Sequence, residues 1–254
     1  MDLKIMTFNV LCYGPDEMFW LDRKGMVTDI LRENKPDSFG LQESHYDWMK
    51  AVCEALPEYA YVGAGRDDGK NGGEFSPVFY LKDKYDVVDS GTFWLSETPD
   101  TPSFGWDAAC RRVCSWAKLK EKESGKEYVH INTHLDHKGP EARTKGLQQV
   151  IDHAAKFDVP VVCTGDFNFT EGCDLYKQMV SGCLADSKYT AEDTMSNVTF
   201  NAFYPIIEDK GVPGIIDYIS FTKGIKVKKY QVILDKPNGK FPSDHYPVMA
   251  IAEI

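Results

Sequence analysis

Apolar runs of four to eight residues, each closed by Gly, Pro or a polar cluster, recur along the whole chain, and most are too short to be helices. Leu3 to Val10 reads as a strand with Asn9 at its end. Between Asp22 and Glu33, Met26, Val27, Ile30 and Leu31 fall at helical spacing, and Pro36 stops that helix. Ser38 to Glu43 is a second apolar strand ending in a carboxylate. Trp48, Val52 and Leu56 mark a short helix closed by Pro57. Tyr59 to Gly65, Phe75 to Leu81 and Tyr85 to Leu95 read as strands. Arg112 to Leu119 alternates polar and apolar, so it is a half-buried strand with Arg112, Cys114 and Trp116 on its inward face. Glu127 to His134 is the next strand, and Pro140 opens a helix to about Ala155 with a solvated Arg143 in its first turns. Val159 to Cys163 is a buried strand that breaks at Thr164-Gly165. A short helix follows from Cys173 to Ser181, and the polar stretch Leu184 to Tyr204 reads as loop plus a short strand. Ile215 to Phe221, Val227 to Leu234 and Val248 to Ile254 are the last strands, the first of them with Asp217 embedded in it. Trp94, Trp106 and Trp116 read as core.

The 254 residues, 43% hydrophobic and 27% charged, support one large domain, 1–254, with a substantial core. No repeat or low-complexity linker divides them. A formal charge of -10 gives little attraction for phosphate polymers, so long nucleic acid is not the favoured partner. A site that gathers carboxylates around a cation accords with that balance. The seven cysteines form no CxxC pair and read as free thiols of a reducing compartment. No apolar run is long enough to span a membrane. The expectation is therefore a cytoplasmic protein without membrane association, or a secreted one if a leader has been cut away. Oligomeric state is not legible.

The chemistry lies at the strand ends. Residues two apart on a strand share a face, so Asp166 and Asn168 point the same way at the mouth of a buried strand. Glu is a poor strand interior residue, which puts Glu43 at a rim or on a ligand. His134 and Asp136 again sit two apart; a zinc reading of His134, Asp136 and His137 lacks the usual helical pair. An inward Arg112 needs an anion, either a structural carboxylate or a substrate phosphate. An acid inside an apolar strand costs several kcal/mol (roughly) if it stays charged and unpaired, so Asp217 needs a partner, for which a His is suited. Asp244 and His245 are adjacent and are expected to face different ways. The charged, Gly-rich stretch Arg66 to Gly73 reads as a hairpin tip in preference to a substrate-reading loop.

Six segments carry these residues in order: TFNV at Thr7 to Val10, LQE at Leu41 to Glu43, NTHLDH at Asn132 to His137, GDFN at Gly165 to Asn168, IDYI at Ile216 to Ile219 and SDHYPV at Ser243 to Val248. Together they resemble the endonuclease/exonuclease/phosphatase superfamily, which includes deoxyribonucleases, apurinic/apyrimidinic endonucleases, deadenylases and inositol-polyphosphate phosphatases. A GRDDGK…GEFSPVFY stretch at Gly65 to Tyr80 and TFWLSETP at Thr92 to Pro99 are similar to uncharacterised bacterial members. The resemblance implies an α/β (α+β) four-layer sandwich of the DNase I-like kind. In it, two mixed, mostly antiparallel sheets pack face to face with helices on both outer faces. It implies hydrolysis of a phosphate ester with Mg2+ or Mn2+. It assigns Asn9, Glu43 and Asp244 to the metal, Asp166 to activation of the attacking water with Asn168 beside it, Asp217 to orientation of His245, and His134 to a phosphoryl oxygen or the leaving group. Arg112, Asn168 and His134 would contact substrate. The expected activity is a metal-dependent phosphoric ester hydrolase acting on a small or short phosphate ester. The alternatives are a nuclease or deadenylase-like 3'-exonuclease on short single strands and, more distantly, a non-catalytic module binding a phosphate ligand. A glycosidase using Glu43 and Asp166 would leave Asn9, His134 and the Asp217–His245 pair without a role.

Overall fold

Alternation along the first strand sets the layering. In β1 (Asp2–Asn9), Leu3 and Ile5 point into the space between two sheets, while Met6 and Phe8 point outward beneath helices. The computed structural model describes residues 1–12, 17–203 and 214–254, with side chains described for all of these except 17–22 and 238. After β1 come α1 (Glu17–Asn34), β2 (Ser38–Gln42), α2 (Tyr46–Ala55), β3 (Tyr59–Val62), β4 (Val78–Leu81) and β5 (Tyr85–Trp94). The middle holds β6 (Val113–Glu121), β7 (Glu127–His134), α3 (Pro140–Ala154), β8 (Val161–Asp166) and α4 (Asp174–Ser181). The last part has β9 (Leu184–Asp186), α5 (Ser187–Thr190), β10 (Asp193–Met195), β11 (Asp217–Thr222), β12 (Lys226–Val232) and β13 (Val248–Glu253).

One sheet has seven strands in the order β10-β12-β13-β1-β2-β4-β3, the other six in the order β5-β6-β7-β8-β11-β9. Most neighbours are antiparallel; β1–β2, β7–β8 and β10–β12 are parallel. The central strands β1 and β2 face β7, β8 and β11. Leu3, Ile5, Ala117, Leu119, Val162, Ile219, Val248 and Ala250 fill the gap between sheets. Helices α1 and α2 cover the first sheet through Val27, Ile30, Leu31, Trp48 and Val52, and α3 covers the second through Leu147, Val150 and Ile151. This is the expected two-sheet sandwich with helices on both outer faces. All seven cysteines are free. Among the described residues no helix is long and apolar enough to cross a membrane.

Some local expectations are corrected. Cys114 and Trp116 face the helix layer, Trp116 against His153 and Phe157 of the α3 end; it is Ala117 and Leu119 that enter the inter-sheet core. The outer face of β6 is covered at Cys114, half-covered at Trp116 and Lys118 and open at Lys120, so its apolar first half passed for a core face. Trp106 is half-exposed, whereas Trp94 is buried. Asp217 opens β11 and is not embedded within it. The polar stretch from Leu184 carries two short strands and a helical turn, and Tyr204 lies outside the described residues. Phe75 joins only an isolated bridge to Ser44, so the fourth strand starts three residues later than the apolar run suggests.

A polar seam crosses the inter-sheet space below the strand ends. Gln42 donates to Thr7 Oγ1 (2.9 Å) and to Asn132 Oδ1 (2.7 Å); Asn132 donates to the carbonyls of Leu41 (2.8 Å) and Pro77 (2.9 Å). Thr164 Oγ1 donates to Asn132 Oδ1 (3.0 Å) and also meets His130 Nε2 (2.9 Å), whose Nδ1 meets Ser38 Oγ (2.8 Å). Buried polar groups are tolerated because they are paired in this way. Burial holds the His130 imidazole down at about 3, so it stays neutral. The seam requires Gly40: a Cβ there would lie 2.2 Å from Asn132 Oδ1 and 2.7 Å from Thr164 Oγ1.

Gly40→Ala is therefore expected to destabilise the fold by roughly 1–3 kcal/mol through overpacking. Urea denaturation measures this, and an unchanged midpoint would show that the seam is not close-packed.

Candidate active site

Strand pairing brings the predicted residues together. The parallel β7–β8 pair sets His134 beside Asp166, and the antiparallel β8–β11 pair sets Asp217 opposite Asp166. In the other sheet, β1 and β2 run parallel with Asn9 beside Gln42, so Glu43 emerges one residue further on. Ser243 closes the group: its hydroxyl donates to Asn9 O (2.7 Å) and accepts from His245 N (3.2 Å), tying the segment before β13 to the end of β1. Glu43 (φ 56°) and Asn168 (φ 52°) both leave their strands in the left-handed region, which favours Asn and strains Glu. Gly165 cannot carry a side chain, since a Cβ would lie 2.3 Å from Thr133 O.

Asp166 is the hub. Its Oδ2 accepts from Asn9 Nδ2 at 2.9 Å and lies 3.5 Å from His134 Nε2 and 3.7 Å from His245 Nε2; its Oδ1 accepts from Asn168 N at 3.0 Å. Burial, then the Asp217 charge, pushes its carboxyl up to about 7, against the pull of His245 and Asn9. His245 Nδ1 lies 2.9 Å from Asp217 Oδ2, and the Phe200 ring packs edge-on against the imidazole. Burial alone would lower His245; Asp217, with Asp166 and Asp244 behind it, overrides burial and raises it to about 10. His134 goes the other way: burial, then Arg112, Arg66 and the neighbouring histidines hold it well below its ordinary range. One imidazole is thus cationic and the other neutral at pH 7.

Glu43 is held from three sides. Asn9 Nδ2 donates to Oε1 (3.1 Å), while Cys12 N (3.2 Å) and Cys12 Sγ (3.3 Å) donate to Oε2. Burial pushes the Glu43 carboxyl up, but Asn9, the His245 charge and Cys12 leave it below its usual range. Asn9 turns its NH2 to the two carboxylates and its oxygen to Leu11 N (3.0 Å), so to ligate a cation it would have to turn its amide over. Asp244 and His245 were expected to face apart, yet both line the cleft, with Asp244 Oδ1 4.0 Å from His245 Nε2. The reason is that they lie outside the regular strands, in a segment joined to Thr199–Ala202 by an isolated bridge at His245 and by backbone bonds to Asp244 O.

Arg112 is buried, and of the two partners foreseen the structure shows the carboxylate, Asp136. Its Nε lies 3.6 Å from Asp136 Oδ2 and one Nη lies 3.0 Å from His137 Nδ1, but Nη1 has no hydrogen-bond partner among the described residues. Asp136 does not join the metal group. Its carboxylate accepts four backbone N–H groups, from Ala109, Cys110, Lys138 and Gly139 (2.7–3.2 Å). Although burial opposes it, those donors and Arg112 bring Asp136 down to about 2. Arg143 donates to Asp136 O (2.8 Å), so it is not merely solvated. This clamp fixes the segment that carries Arg112.

Glu43, Arg112, His134, Asp166, Asn168, Asp244 and His245 line a cleft of about 360 Å3, with Arg66, Glu74, Cys110, His137, Phe200 and Ile216 completing its wall. The stretch Arg66 to Gly73 lies in the connection of the antiparallel β3–β4 pair, as a hairpin reading expects, and Arg66 at its start also lines the cleft. Asp68 caps its turn by accepting from Lys70 N and Gly72 N, Trp94 Nε1 donates to Arg66 O (2.7 Å), and Arg66 pairs with Glu74 (2.6 Å) facing the cleft. Sequence reasoning passed over Glu74, Cys12, Phe200 and Thr199, whose hydroxyl accepts from Ile216 N and Asp217 N. Only the glycine density beside Glu74 carried any signal. Glu43, Asp166, Asp217 and Asp244 place four carboxylates around two histidines. The raised Asp166 carboxyl marks unbalanced negative charge, and Asp244 too is raised, first by burial and then by Glu43. An all-oxygen donor set of this kind fits a hard divalent cation.

The sequence pattern of the Endonuclease/Exonuclease/phosphatase family matches residues 6–245. An endonuclease/exonuclease/phosphatase from Bacteroides vulgatus is 37% identical, with a TM-score of 0.93 over 100% of this chain and 99% of that one. The mannosyl-6-phosphatase of Bacteroides thetaiotaomicron VPI-5482 is 36% identical, with a TM-score of 0.91 over 99% of this chain and 100% of that one. The human nocturnin catalytic domain, solved with a bound sulfate anion, is 21% identical with a TM-score of 0.74 over 99% and 94% of the two chains; that likeness is one of fold alone.

The imidazole–carboxylate pair is testable without substrate. In metal-free protein the His245 ring should titrate near about 10 by NMR, and in Asp217→Asn its midpoint should fall toward or below 6.5. A His raised on folding stabilises fully below 6.5 and loses that contribution as the pH climbs to about 10, so the variant should also lack this alkaline loss. An unshifted ring would remove Asp217 as its orienting group.

Proposed function

The chain belongs to the endonuclease/exonuclease/phosphatase family of metal-dependent phosphoesterases, and from that premise we propose that it hydrolyses a small phosphate ester, with sugar monophosphates the leading substrate class. The observation that carries the reading is the Asp166 carboxylate set between two histidines of opposite charge state, with the open Nη1 of Arg112 in the same cleft. Support for a small leaving group comes from the full-length likeness to a mannosyl-6-phosphatase and from the formal charge of -10, which disfavours a polymer track.

Glu43, Asp244 and Asn9 would hold Mg2+ or Mn2+, which when bound polarises a phosphoryl oxygen as a Lewis acid. Asp166 takes a proton from the attacking water; burial beside Asp217 raises its affinity for that proton above that of an ordinary carboxylate. Asn168 is pinned by its own donation to Leu135 O (3.0 Å) and holds the Asp166 Oδ1 in place through its backbone N–H. His245, cationic and fixed by Asp217, aims Nε2–H at a phosphoryl oxygen and stabilises charge that grows there in the transition state. His134 adds a hydrogen bond without adding charge, because it is held neutral. Arg112 supplies the planar fork suited to phosphate.

Asp166→Asn and His245→Ala should each keep the circular dichroism of the parent and lose at least about 100-fold in kcat/KM. Full activity in either variant would contradict its role. In a panel of sugar phosphates, mononucleotides and short DNA and RNA, turnover should vanish with chelator, return with Mg2+ or Mn2+, and be fastest on a sugar monophosphate. An oligonucleotide preferred over every small ester, with affinity falling steeply in salt, would favour the nuclease reading instead.

A further inference from the structure

We propose that Cys12, His45 and Glu74 form a second metal site, suited to a borderline-soft ion such as Zn2+, and that its occupation inhibits the enzyme. The Cys12 sulfur, a His45 ring nitrogen and a Glu74 carboxylate oxygen lie within 4.8 Å of one another. A tetrahedral zinc with bonds of about 2.0–2.3 Å sets its ligands roughly 3.5 Å apart, so side-chain movement of about 1 Å completes the site. The fold places these residues by two unrelated contacts. The antiparallel bridge between Ser44 and Phe75, with Phe75 N donating to Ser44 O at 2.7 Å, brings His45 alongside Glu74. Cys12, just past the end of β1, is drawn in by its backbone and thiol contacts to Glu43.

The donor set differs in kind from that of the catalytic cleft. A thiolate and an imidazole are poor ligands for Mg2+ and good ones for zinc-class ions. Glu74 lines the cleft and His45 is half-exposed, so an ion can enter from solvent. Cys110, Asp136 and His137 also cluster, but Asp136 already spends both oxygens on four N–H donors, whereas the Glu74 oxygen facing Cys12 meets its sulfur at a long 3.7 Å. Binding exchanges the Cys12 S–H proton, released to solvent, for a metal–sulfur bond. Inhibition follows from position: Glu43 Oε2 is 3.3 Å from the Cys12 sulfur and becomes the natural fourth donor, withdrawn from the catalytic cation.

The test uses the intact chain with saturating Mg2+. Added Co2+, as a spectroscopic stand-in for zinc, should give the near-ultraviolet charge-transfer absorption of a thiolate ligand, and Cys12→Ser should abolish it. Zn2+ should inhibit turnover, and His45→Ala should need at least about tenfold more Zn2+ for the same inhibition while its Mg2+-supported rate stays within about twofold of the parent. His45→Gln, checked by circular dichroism, replaces it if the alanine variant misfolds. Absence of the thiolate band, or equal zinc sensitivity in the parent and the His45 variant, would overturn the proposal. The Co2+ spectrum needs no substrate, so it decides the matter even if the sugar-phosphate reading fails.

Discussion

Two buried carboxylates on neighbouring strands face each other across the middle of this molecule. Asp166 and Asp217 are register partners, each almost wholly removed from water, and like charges so placed repel strongly. The fold tolerates them because His245 comes in from the other sheet as a cation bonded to Asp217, and because Asp166 shares its negative charge with Asn9 and a proton. That arrangement leaves the site short of positive charge. The rest of the cleft follows from the shortage: Glu43 and Asp244 add more carboxylate, and Arg112 offers a donor that no described residue receives.

Rigidity beneath the site keeps these charges where they are. The Gln42–Asn132–Thr164 seam ties the two sheets one layer below the rim, so groups from opposite sheets keep a fixed separation. Left-handed residues at Glu43 and Asn168 aim side chains sideways at the strand ends, and the four-donor clamp on Asp136 secures the loop of Arg112. A site pre-organised on rigid elements needs little rearrangement to act on a bound phosphate.

Much of this was legible in the sequence because the short apolar runs with polar ends marked both the strands and the rim. Asn9, Glu43, His134, Asp166, Asn168, Asp217, Asp244 and His245 all come to one cleft, as the order of motifs suggested. What stayed hidden depends on tertiary placement. Nothing local distinguishes Glu74 from a surface acid until the Ser44–Phe75 bridge sets it against the cleft. Asp136 stood two residues from His134 with no role that spacing could assign; the loop folds back and saturates it with N–H groups. The outward turn of Cys114 and Trp116 was hidden because these two apolar residues lie at the end of the outer face of β6 that α3 covers, while the same face opens to solvent at Lys120.

The account stands on a cation neutralising the carboxylate excess at the joint of the two sheets. Crystals soaked in Mn2+ and measured at the manganese edge would show this directly. An anomalous peak within bonding distance of a Glu43 carboxylate oxygen, beside Asp166 and Asp244, is the predicted result. A cleft without a peak at saturating Mn2+, or manganese bound only elsewhere on the surface, would contradict it.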